Sequence, residues 1–162
     1  MGSPLFMRDV TLTLKVIGGA GTRAEFNCDL HTAEIVPSPG DDVTYQTLCP
    51  GGTHSQVGAS TYALHVVAAQ QWAADGLATF LWTNEGKQAE FQYQAHGVGV
   101  APSPAAPGMT GVVRLIAGNY GGEADTYAEL DVTLPCETKP TMITAAFPAL
   151  AETEEAGETV AA

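Results

Sequence analysis

Apolar and polar residues alternate with period two along most of this chain, the signature of half-buried strands. Val10, Leu12, Leu14 and Val16 alternate with Thr11, Thr13 and Lys15, which predicts a first strand. Gly18, Gly19 and Gly21 then make a turn. Phe26, Cys28 and Leu30 alternate with Glu25, Asn27 and Asp29, and a weaker extended stretch continues through Ile35 and Val36. The cluster Pro37-Ser38-Pro39-Gly40-Asp41-Asp42 is read as a break. Val43, Tyr45 and Thr47 set against Thr44 and Gln46 predict a third strand. A polar loop follows Cys49-Pro50-Gly51-Gly52 as far as Ser60, and Tyr62 to Ala69 predicts a fourth strand.

The period then changes. Leu77, Phe80 and Leu81 recur at helical spacing beside Trp82, with Asp75 as the expected N-cap and Gly86 as the stop. So short a helix is stable only when its apolar stripe docks on a sheet; Trp72, Leu77, Phe80, Leu81 and Trp82 are the expected docking residues. Gln88, Glu90, Gln92 and Gln94 alternate with Ala89, Phe91, Tyr93 and Ala95 in the cleanest strand of the sequence. Residues 97–108 read as a loop. Two more strands are expected near 109–117 and 126–136. The fold class is therefore all-β: an antiparallel sandwich or barrel of about seven strands with one short flanking helix. One domain is expected over residues 1–146, followed by an acidic, flexible C-terminal tail over 147–162.

Composition narrows the function. The 162 residues carry a formal charge of -12, of which residues 1–136 contribute -8 and residues 137–162 contribute -4. Tight binding to nucleic acid or anionic lipid needs clustered basic side chains, which six Lys and Arg do not supply. No apolar run approaches a bilayer span, and Met1 to Asp9 lacks the pattern of a secretory leader. Cys28, Cys49 and Cys136 have neither disulfide-framework nor zinc spacing and read as small buried hydrophobes.

Catalytic patterns are missing from the sequence. Gly18-Gly19-Ala20-Gly21 is not followed by the Lys-Ser/Thr of a phosphate loop, and Ser60 is not in a G-x-S-x-G elbow. His31, His54, His65 and His96 fall at no ligand spacing. Asp41 and Asp42 are adjacent and read as turn formers. Neither an enzyme nor a cofactor or metal is expected.

Three strands instead show regular polar faces: Glu25/Asn27/Asp29, Glu90/Gln92/Gln94 and Glu129/Asp131/Thr133. Taken singly these are solvated sheet faces. Joined across subunits, they would line an aqueous space whose negative wall repels phosphates within a Debye length of about 8–10 Å.

The order of motifs resembles that of major tail tube proteins of long-tailed, non-contractile (siphovirus-type) bacteriophages, especially phages of actinobacteria. The resemblance lies in Leu5-Phe6-Met7-Arg8-Asp9-Val10-Thr11-Leu12, in Thr47-Leu48-Cys49-Pro50-Gly51-Gly52, and in the run from Trp72 to Gly86 followed by Phe91. It covers about residues 5–146 and implies a small β-sandwich with one helix and no active site.

The resemblance further implies a structural virion protein, made in the host cytoplasm. Its subunits would form stacked homohexameric rings around a hollow lumen for genome passage. Ring-to-ring contacts would fall in the loop Pro37, Ser38, Pro39, Gly40, Asp41 and Asp42. Alternation suggests Glu25, Asn27, Asp29, Glu90, Gln92, Gln94, Glu129 and Asp131 as lumen-facing residues. Implied partners are further copies of the chain and the tape-measure, tail-tip and tail-terminator proteins. DNA would pass through without specific binding, and no membrane is involved. The alternatives are a capsid decoration or tail-completion protein forming a closed oligomer, and a ligand-binding β-sandwich.

Overall fold

The computed structural model describes residue 7 and residues 9–19, 23–26, 30–96 and 100–150, apart from the side chains of Arg23 and Ala24. Asn27, Cys28, Asp29 and the acidic stretch 151–162 lie outside the described residues. The strands are β1 (Thr11–Val16), β2 (Arg23–Glu25), β3 (Leu30–Ser38), β4 (Val43–Gln46), β5 (Thr53–Gln56) and β6 (Thr61–Ala69). After the helix α1 (Leu77–Thr83) come β7 (Gln88–Gln94), β8 (Gly108–Arg114), β9 (Glu129–Pro135) and β10 (Thr141–Ile143). All pairing among the described residues is antiparallel. The fold is all-β with one helix.

One layer is a five-stranded sheet ordered β10-β8-β7-β1-β2, and the other is a three-stranded sheet ordered β3-β6-β9. Period-two alternation puts Leu12, Leu14, Ala89, Phe91, Tyr93 and Val113 on the inner face of the first sheet. Leu64, Val66, Ala68, Leu130, Val132 and Leu134 occupy the inner face of the second, and all twelve are buried. Removing their apolar surface from water drives the layers together, by roughly 1.5–3 kcal/mol for each large side chain. Beyond β9 the chain passes from one layer to the other. Cys136 N–H donates to the Tyr62 carbonyl and Glu137 N–H to the Val112 carbonyl, each at 2.9 Å. That crossing ties the layers together on the β8/β9 side.

The helix is shorter than its pattern suggested, and Gly76 replaces Asp75 as the N-cap. Residue 76 has room only for a glycine, since a Cβ there would lie 2.2 Å from the Gln71 carbonyl oxygen. Leu77, Ala78, Phe80 and Leu81 are buried, and Phe80 meets Phe26 edge-on at 5.5 Å. At the other end Asn84 Nδ2 donates to the Phe80 carbonyl at 3.0 Å, and Gly86 turns the chain with φ of +80°.

Two features depart from the alternation. Pro37 and Ser38 belong to β3, in register with Tyr62 and Thr61, and do not begin a loop. An edge strand tolerates a proline because one side of its backbone needs no partner. The supposed polar loop contains β5, which pairs with β4 as a separate two-stranded hairpin.

Candidate assembly surfaces

Residues opposite each other in a ladder share a face. Thr13 lies opposite Glu25 and Gln92, and Lys15 lies opposite Glu90. Glu25, Glu90, Gln92 and Gln94 therefore share the outer face of the five-stranded sheet. Gln92 and Gln94 are only 8% and 4% exposed, because the chain after β10 folds back over them. Gln92 Nε2 donates to the Pro148 carbonyl at 2.8 Å, and the Phe147 ring lies over Gly108. Ordered packing thus runs past residue 146, where composition placed the start of the tail.

Glu129 and Asp131 lie opposite Ala69 and Val67, on the outer face of the other sheet. Glu34, opposite His65, joins them there. The acidic residues expected to line one lumen are thus divided between two layers that look in opposite directions. Charge divides the same way. The three-stranded sheet carries Glu34, Glu129 and Asp131 with no Lys or Arg, whereas Lys15, Arg23 and Arg114 all lie in the five-stranded sheet.

Two imidazoles are set into the acidic face. His65 spans the strands on either side of it, with Nδ1 3.1 Å from Glu34 Oε1 and Nε2 2.9 Å from Asp131 Oδ1. These two hydrogen bonds, Glu34 foremost, hold the imidazole above its ordinary pKa against the opposing effect of burial. His31 Nδ1 lies 3.3 Å from Glu129 Oε1. Sequence spacing hid these pairs, since the partners of His65 are 31 and 66 residues away. Only the alternation of Thr32, Glu34 and Val36 with Ala33 and Ile35 could have marked Glu34. Among the described residues no group of three or more His, Cys, Asp or Glu is arranged to hold a metal ion.

The β4–β5 hairpin is the second surface. All eight of its strand residues are exposed, and Tyr45 stacks on His54 at 5.1 Å. Leu48 and Val57 beside it are also exposed. An isolated two-stranded hairpin is marginal in water. Pro39, Gly40, Asp41 and Asp42 connect β3 to β4 at its base. Cys49 is exposed at its tip, contrary to the expectation of a buried thiol; Cys136 is half-buried, and burial pushes its thiol pKa up.

A third surface is aromatic. Trp72 and Trp82 stay 43% and 47% exposed, so neither joins Leu77, Phe80 and Leu81 in the core. Their rings lie 6.2 Å apart, and Tyr120 meets Trp72 edge-on at 5.2 Å. Trp82 lies next to Leu81 on a helix with one buried stripe, and its ring is left at the margin.

No protein-family model and no curated protein matches the chain. Solved structures do. The chain is similar in fold to a protein in the tail of an empty gene transfer agent particle, obtained by helical refinement with C6 symmetry. That match has 17% identity and a TM-score of 0.55, and covers 85% of this chain and 96% of the other. A chain of the virion of the native gene transfer agent particle is also similar, with 14% identity and a TM-score of 0.52 over 83% of this chain and 95% of that one. The fold is one found in the tails of such virion-like particles.

Proposed function

We propose that this chain is a tail tube subunit of a siphovirus-type phage or a related particle, forming stacked hexameric rings around a lumen through which DNA passes. The observation that carries this reading is the fold shared, over 85% of this chain and 96% of the other, with a protein from a C6-symmetric tail. The separation of charge supports a choice of wall. A conduit for a polyanion works when its lining repels phosphates and offers no basic side chain to hold them. The outer face of the three-stranded sheet carries Glu34, Glu129 and Asp131 with no Lys or Arg, and its two imidazoles, His31 and His65, are each paired with those carboxylates. The five-stranded face, with Lys15 and Arg114, is the outward one.

The exposed hairpin supplies the contact between rings. A contact in which one surface meets a different one on the next copy does not close, and it propagates into a filament. Tape-measure, tip and terminator proteins would then set the length and ends.

Negative-stain electron microscopy with light-scattering mass, across concentration and salt, tests the proposal. Hollow tubes of uniform diameter with a regular axial repeat are expected. A closed oligomer under every condition would instead favour a decoration or completion protein.

A further inference from the structure

Strand pairing between chains requires a sheet edge whose backbone groups are free. The three-stranded sheet has two edges, β3 and β9, and they are not equivalent. Along β9 the Asn119 side chain takes the place of a neighbouring strand. Its Nδ2 donates to the Glu129 carbonyl at 2.8 Å, and its Oδ1 accepts from the Asp131 N–H at 2.9 Å. Gln70 Nε2 also donates to the Glu129 carbonyl at 2.8 Å, and Gln70 is anchored by two further bonds to the Gly121 backbone. At the far end Pro135 has no N–H to offer. The β9 edge is capped at Glu129 and Asp131.

Among the described residues the β3 edge is open between Thr32 and Val36, short of Pro37. Apart from the Ala33 carbonyl, which accepts from the Tyr93 hydroxyl at 2.6 Å, no side-chain bond caps its backbone from Thr32 to Val36 among the described residues. Beside it lies a groove of about 520 Å³, lined chiefly by Met7, Ala33, Ile35, Tyr93, Ala95 and Met109.

We propose that the β3 edge accepts a strand from a second copy of this chain, donated by that copy's β4–β5 hairpin, with Val43 and Tyr45 entering the groove. The inference rests on the tube-subunit reading. Val43 and Tyr45 alternate with Thr44 and Gln46, so one face of β4 is apolar and the other polar, as an added strand beside an apolar groove requires. No residue of β4 is ionisable at neutral pH, so the strand can approach Glu34 without repulsion. Donor and acceptor are different surfaces, which makes the contact directional. Asn119 keeps the same hairpin from adding to β9.

Residue-resolved hydrogen exchange on the dispersed and assembled chain tests this. Assembly should slow exchange by at least about tenfold at Ala33 and Ile35, whose N–H groups face away from β6, and at Thr44 and Gln46, whose N–H groups face away from β5. Asp131 should not change, since Asn119 already holds its N–H. Tyr45→Asp should abolish the gain at β3 while leaving the unfolding midpoint in place. Asn119→Ala should expose the Asp131 amide in the dispersed chain and produce irregular aggregates.

Protection at β3 already present in the dispersed chain would mean that the chain's own N-terminal segment covers the edge, and would overturn the proposal. So would protection gained at β9, or none at the hairpin. Uniform tubes without β3 protection would sink this inference and leave the tube reading intact. Closed oligomers protected at β3 and the hairpin would do the reverse. A chain that stays dispersed at every concentration and salt overturns both.

Discussion

Gly40 and Gly58 cross at the base of the β4–β5 hairpin with no room for a side chain between them. A Cβ on Gly40 would lie 2.5 Å from the Gly58 carbonyl carbon, and one on Gly58 would lie 2.5 Å from the Asp41 carbonyl oxygen. At this neck the two legs meet backbone to backbone, and the neck sets the direction in which the hairpin projects. Gly40→Ala or Gly58→Ala should force the legs apart and re-aim it. The core does not reach this neck, so the unfolding free energy should change by less than about 1 kcal/mol. Tube length by electron microscopy should collapse in both variants while the denaturant midpoint holds. Normal tubes from Gly58→Ala would show that the hairpin's direction is irrelevant to assembly.

His65 makes the acidic face sensitive to pH. Its folded-state pKa is raised above the ordinary 6.5, first by Glu34 and then by Asp131. A raised pKa means that the protonated form is favoured on folding. The stabilisation is therefore full below about pH 6.5 and is lost as pH rises through the raised folded value. Both carboxylates are more than half exposed, so solvent and salt weaken the effect. Imidazole titration by NMR should place His65 above a free histidine, and Glu34→Gln should bring it down. An unchanged titration in that variant would remove the cross-strand bridge.

Tyr93 carries its hydroxyl into the sandwich and donates it to the Ala33 carbonyl at 2.6 Å. Burial, with a smaller contribution from Glu34, pushes its pKa up to about 12. Here the neutral form is favoured on folding, so stability falls as pH rises from about 10 in the unfolded chain towards the folded value. Ultraviolet titration should show one tyrosine ionising well after the others, and Tyr93→Phe should remove that late step. The same variant leaves the Ala33 carbonyl without its donor, at a cost of about 1–3 kcal/mol in denaturant unfolding.

The two faces can be separated by charge reversal. Glu129→Lys with Asp131→Lys should allow tubes to form but slow DNA ejection, because lysines on the wall would engage phosphates. Glu25→Lys with Glu90→Lys, on the opposite layer, should leave ejection kinetics unaltered. If the second pair slows ejection and the first does not, the wall is the five-stranded face.

Phe91 stacks over Gly111 so closely that a Cβ there would lie 2.9 Å from the ring. Phe91 is fully buried, and Phe91→Ala should cost about 3–5 kcal/mol in unfolding free energy. A loss below about 1 kcal/mol would mean that the layers collapse onto the space left by the ring.

The sequence by itself determined the class of the fold, because period-two alternation in β1, β6, β7 and β9 is a local consequence of one face being buried. It also marked the apolar stripe of α1 and the acidity of the chain. Leu77, Phe80 and Leu81 announced themselves by spacing, since a helix has one geometry wherever it docks. Only the tertiary structure decided which polar residues share a surface. Glu25 and Glu129 have the same pattern around them, yet they stand on opposite layers, because alternation says which residues face away from the core but not on which side of it. His65 meets Glu34 and Asp131 only through strand register, a relation between distant segments that no local pattern contains. Gln92 and Gln94 read as solvent-facing and are buried, because the returning segment at Phe147 and Pro148 covers them. Asn119 sits in a loop with no pattern of its own, and its place beside β9 exists only once the sheets have formed.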